Sequence, residues 1–100
     1  MKYNKLVRDK IPQYIKSKGG TSSSHIADEE EYWQKLKEKL FEEVEEFNKD
    51  ENAEEVADIL EVLEAIVKYK QFNMENVLKI KEKEAQERGK FNDKIILDES

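Results

Sequence analysis

The stretch "FEEVEEFNKDENAEEVADILEVL", residues 41–63, sets large apolar side chains at helical spacing and places carboxylates among them. A surface helix ordinarily keeps the two kinds on opposite faces. The polar break "NKDEN" at 48–52 divides the stretch and predicts two helices that fold back on each other. Upstream, Asp28 and Glu31 resemble a capping box, and Trp33, Leu36, Leu40, Val44 and Phe47 recur at three and four, predicting a helix that stops near Asn48. Downstream, Val56, Ile59, Leu60, Leu63, Ile66 and Val67 carry a second long helix to about Lys70.

Outward from this pair the pattern stays helical. Asp9 is placed to cap a short helix bearing Ile11, Tyr14 and Ile15, which Gly19 and Gly20 end before a loop over 19–27. A further helix is expected from just after Asn73 to Arg88, with Gly89 at its end. The remaining "KFNDKIILDES" reads as an extended tail able to lay Phe91, Ile95, Ile96 and Leu97 on the bundle or on a partner chain. The expectation is an all-α fold, with residues 1–100 as a single domain.

Composition narrows the chemistry. Charged residues make up 42% of the 100 residues, with one Pro and three Gly, which favours helices with charged outer faces over a sheet. With no cysteine and a single histidine, His25, thiolate nucleophiles, Cys/His zinc sites and Ser/His triads lack their parts. "GGTSSS" at 19–24 lacks the Lys-Ser/Thr that completes a phosphate loop. No run is long enough for a signal peptide or a membrane span, so a cytoplasmic location without membrane association is expected. Net charge is −6, with the acid concentrated between residues 28 and 64 and a basic segment at 1–20. Extended nucleic acid calls for a broad basic face, so it is not an expected partner; a small anion reached through bridging cations suits the pattern better.

On a wheel of about 100° per residue with Leu36 at zero, the apolar residues of the first long helix span about 0° to 80°, Glu43 falls near −20° and Glu46 near −80°. On the second, with Ile59 at zero, Glu55 lies near −40° and Asp58 near −100°. Glu38, Glu45, Glu61 and Glu64 point the other way. An antiparallel turn between Asp50 and Glu51 then brings Glu46 level with Glu55 and Glu43 level with Asp58. Four carboxylates on one patch repel each other unless a cation sits among them, and oxygen-only ligands favour Mg²⁺ or Mn²⁺. The bland alternative is a solvated acidic face, with Glu55 serving as the third residue of a capping box begun by Asn52.

The motif Glu42-Glu43-Val44-Glu45-Glu46 followed by Glu55-Val56-Ala57-Asp58 resembles the ExxE and ExxD pair of MazG-type all-α nucleoside triphosphate pyrophosphohydrolases. "YNKLVRDKIP" and "KEKEAQERGKF" are similar to the opening and closing signatures of a small phosphoribosyl-ATP pyrophosphohydrolase-like subgroup, so the likeness spans nearly the whole chain. The short link between the motif halves departs from the family pattern at the pocket mouth.

What the resemblance implies is a four-helix bundle completed by dimerisation or higher assembly, and Mg²⁺-dependent cleavage between the α and β phosphates of a nucleoside triphosphate. It implies Glu43, Glu46, Glu55 and Asp58 as metal ligands, with Glu42 as an extra ligand or water-orienting base beside Glu43. Candidate cations for the substrate phosphates are Lys5, Arg8, Lys10, Lys39, Lys83 and Arg88, arginine being the better bidentate partner. Tyr32, Trp33, Phe47 and Phe91 are candidates to stack on a base, although helical spacing favours the core for the first three. Rival readings are hydrolysis of phosphoribosyl-ATP and a non-enzymatic helical interaction module whose acids only solubilise.

Overall fold

The computed structural model describes residues 4–100; Tyr3, which opens the N-terminal signature, lies outside them. Four helices form in the expected order: α1 (Ile11–Ser17), α2 (Glu29–Asp50), α3 (Ala53–Tyr69) and α4 (Met74–Arg88). No strand occurs among the described residues, so the fold class is all-α.

The helix ends follow from local chemistry. Asp28 caps α2 by accepting from the Glu31 amide at 2.9 Å, Asn52 caps α3 through the Glu55 amide at 3.0 Å, and Asn73 caps α4 through the Asn76 amide at 2.9 Å. Each such cap is worth about 1 kcal/mol. Gly89, at φ 86°, ends α4 where a side chain would be strained. Two boundaries differ from the sequence reading. Asp9 does not cap α1; Lys10 holds that position without a side-chain cap, and Pro12 supplies the preset first turn. The helix expected to stop near Asn48 continues to Asp50, because Glu51 takes a left-handed conformation and its amide donates to the Phe47 carbonyl at 2.8 Å. Only Glu51 and Asn52 then link α2 to α3.

Among the described residues, α2 and α3 are the one pair of helices in extensive contact. Leu36, 1% exposed, and Val62, 7% exposed, are the fully covered apolar side chains of their seam. Burying a leucine in this way contributes about 2 kcal/mol. The apolar surface is wider than one neighbour can cover. Phe41 and Val44 on α2, with Val56, Leu60 and Leu63 on α3, remain exposed along one flank. Leu78 and Ile80 of α4 are also half open, and the tail does not lie on the helices: Phe91, Ile95, Ile96 and Leu97 are all exposed. The chain is correspondingly long, 55 × 31 × 24 Å, with a radius of gyration of 17.7 Å. A compact chain of this length would have a radius near 13 Å, so four helices in one chain do not close into a bundle.

Candidate metal centre

The closed end of the α2–α3 pair carries the acids. Heptad-like spacing sets Leu36 inward, and seven residues later Glu43 comes round to the same seam, where it is 8% exposed. Because α3 starts only two residues after α2 ends, its first turn stands level with the last turns of α2, and Glu55 and Asp58 meet Glu43 there. One carboxylate oxygen from each of Glu43, Glu55 and Asp58 lies within 4.8 Å of the other two. Glu46, Asp50 and Glu55 form a second set with the same separation. All four carboxylates expected on one patch therefore fall in the cluster, divided between two overlapping triads that share Glu55.

Asp50 is an addition. The sequence places it at the turn, but the two further residues of α2 put it one helical turn beyond Glu46 on the same face. The acidic i, i+4 pair was the available signal.

Electrostatics single out Glu55. Burial of its carboxyl, and then the charges of Asp58, Glu43, Glu46 and Asp50, push it above the ordinary carboxylate range. That is the expected behaviour of a carboxylate surrounded by its own kind. Glu42 moves the opposite way: burial opposes its charge, but the hydrogen bond from Lys5 and the charges of Lys39 and Lys5 outweigh burial and lower its pKa. A carboxylate held this way is a weaker proton acceptor, and Glu42 belongs to neither triad.

The candidate phosphate-binding cations divide into two groups. Lys39, from α2, approaches Glu43 at 3.0 Å and Glu42 at 3.5 Å; Lys5 donates to Glu42 at 3.0 Å. Arg8 spans α3, its Nη2 2.9 Å from Asp58 and its Nη1 3.1 Å from Glu61. Those hydrogen bonds, Asp58 first, raise the pKa of the guanidinium further. These three residues border the acids. Lys83 pairs with Glu87 on its own helix, while Lys10 and Arg88 form no ion pair among the described residues, so no ion pair ties these three to the α2–α3 acids. An open cleft of ≈ 320 Å³ beside the acids is lined by Lys5, Lys35, Lys39, Glu38 and Glu42.

Aromatic residues gather at the other end of the pair. Trp33 stacks on Tyr69 with centroids 5.0 Å apart and planes 2° from parallel, and Tyr32 meets Tyr69 edge-on at 5.5 Å. Lys37 and Lys70 lie 5.1 and 4.9 Å from the Trp33 centroid. Ten residues of helix separate Trp33 from Glu43, about 15 Å along the axis. Trp33 and Tyr32 thus pack structurally, away from the acids. His25 is exposed and pairs with Glu31 at 2.8 Å.

The donor set suits a hard divalent cation: each triad offers three anionic oxygens in reach of one ion, without sulfur or imidazole. No helix is long and apolar enough to cross a membrane among the described residues. Comparison with family models, with curated proteins and with solved structures finds no match to this chain.

Proposed function

We propose that this chain is a Mg²⁺-dependent nucleotide pyrophosphohydrolase of the MazG type, cleaving the α–β phosphate bond of a nucleoside triphosphate to a monophosphate and pyrophosphate. The observation that carries the reading is the pair of carboxylate triads sharing Glu55, contributed by facing helices and held together against mutual repulsion. Isolated acidic faces spread their charges; here the fold concentrates them.

Glu43, Glu46, Glu55, Asp58 and, by its position, Asp50 would hold Mg²⁺, or Mn²⁺ in its place. When bound, such an ion neutralises phosphate oxygens and lowers the pKa of water, which are the main demands of phosphoryl transfer. The chain's own groups do the rest. Lys5, Lys39 and Arg8 border the acids and supply positive charge for the phosphates that remain. Glu42, bound by Lys5 and Lys39 with its pKa lowered, is weakened as a proton acceptor for an attacking water. The apolar seam at Leu36 and Val62 fixes the helices that carry these groups.

The exposed flank of Phe41, Val44, Val56, Leu60 and Leu63, together with the open tail, supports a homodimer or higher assembly in which a second copy completes the bundle. One observation favours a different reading, a non-enzymatic helical module: Glu42, Glu43 and Asp58 already have Lys5, Lys39 and Arg8 as counter-charges. Product analysis separates the two. With Mg²⁺, the enzyme releases pyrophosphate and not orthophosphate from at least one of the common NTPs, dNTPs or phosphoribosyl-ATP, and EDTA stops it. A helical module turns over none of them.

A further inference from the structure

Residues 5–8 cross the acidic end of the pair. Lys5 reaches Glu42 on α2 and Arg8 reaches Asp58 and Glu61 on α3, contacts that join residues 37, 50 and 53 positions apart. Among the described residues, the segment is held mainly by charge. Leu6 is half-buried, but Val7 is 38% exposed and Lys5, Arg8, Asp9 and Lys10 are all exposed. Exposed ion pairs hold weakly and are screened by salt, and a segment with few buried apolar contacts opens at low cost. Arg8 is also bonded to one of the carboxylates of the Glu43, Glu55 and Asp58 triad. A divalent cation in that triad would draw on the charge that holds Arg8 and would repel the guanidinium across a few ångströms.

We propose that residues 5–8 form a tethered counter-ion strap, closed across the acidic end by Lys5 and Arg8 in the absence of a divalent cation and released from those carboxylates when one binds, which frees both cations for the substrate phosphates. The inference rests on the metal-binding part of the function proposed above. It makes Arg8 a competitor of the metal and not a group that positions Asp58 for it. By linkage, whatever the metal does to the strap, the strap does to the metal in equal measure.

The chain lacks cysteine, so Asn4→Cys gives a single nitroxide attachment point at the start of the strap. The full chain would be titrated with Mg²⁺ at constant ionic strength, reading nitroxide mobility by EPR and metal affinity by calorimetry. The expected result is a label that becomes mobile as Mg²⁺ saturates, a label already mobile without Mg²⁺ in Arg8→Gln, and tighter Mg²⁺ binding by Arg8→Gln of about tenfold, within the ordinary range of coupling. Arg8→Lys, unable to bridge Asp58 and Glu61 at once, should lie between the two. Mg²⁺ binding that leaves the label unchanged, or weaker binding by Arg8→Gln, would overturn the strap while leaving the metal centre intact. Absence of Mg²⁺ binding in every variant would overturn both.

Discussion

The two ends of the α2–α3 pair are built on opposite principles. At one end Trp33, Tyr32 and Tyr69 stack, with Lys37 and Lys70 near the indole, so each group lowers the energy of its neighbours. At the other end five carboxylates share two small volumes, and Glu55 is driven toward protonation by its surroundings. The first end holds the helices together. The second concentrates like charges that Lys39 and Arg8 offset only at Glu43 and Asp58, and a perturbed carboxylate among its own kind is the usual mark of a site shaped for binding.

The comparison breaks most easily at the aromatic end. Trp33→Ala should cost about 3 kcal/mol of stability, measured by urea denaturation, because it removes both a large apolar side chain and a stacked ring pair. Divalent-ion affinity of the fraction that stays folded should not move. At the acidic end turnover, and not stability, should respond. Glu43→Gln should reduce Mg²⁺-dependent pyrophosphate release by about 100-fold, or about 2.7 kcal/mol in barrier, with the fold retained. A variant that unfolded instead would assign Glu43 a purely structural role with Lys39.

A smaller effect sharpens the contrast through pH. The folded pKa of Glu55 is raised, so the folded chain binds this proton more tightly than the unfolded one, and in EDTA stability should rise as pH falls through the raised value. Glu42 has the opposite sign: its contribution is present above the ordinary carboxylate range and is lost as pH falls through its lowered pKa. Urea midpoints of the metal-free protein should therefore climb before they fall on acidification, and Glu55→Gln should remove the climb. The smallest effect is expected at Glu61→Gln, where one exposed half of the Arg8 fork is lost. It should change stability by less than about 1 kcal/mol.

Much of this architecture was legible in the sequence because helix periodicity and caps are local. Asp28, Asn52 and Asn73 mark the starts of α2, α3 and α4, and the wheel position of Glu43 against the seam anticipates its burial. Matching levels across the turn brings Glu43, Glu46, Glu55 and Asp58 to one patch from the sequence alone. What escaped depended on the backbone of single residues or on distant partners. Asp50 joined the cluster only because Glu51, not Asn48, ends α2. The grip of Arg8 on Asp58 and Glu61 links segments 50 and 53 positions apart, which no spacing rule reaches. Val44, Val56, Leu60 and Leu63 sit on the apolar stripe yet remain open, since a wheel shows which face is apolar and not how much of it one neighbour covers.

The central claim, that the acidic end is a divalent-metal centre, is tested most directly by Mn²⁺ binding followed by EPR in the wild-type chain, in Glu55→Gln and in Trp33→Ala. Saturable binding that is lost in Glu55→Gln and kept in Trp33→Ala is the predicted result. No saturable binding in the wild-type chain, or binding indifferent to Glu55, would contradict it.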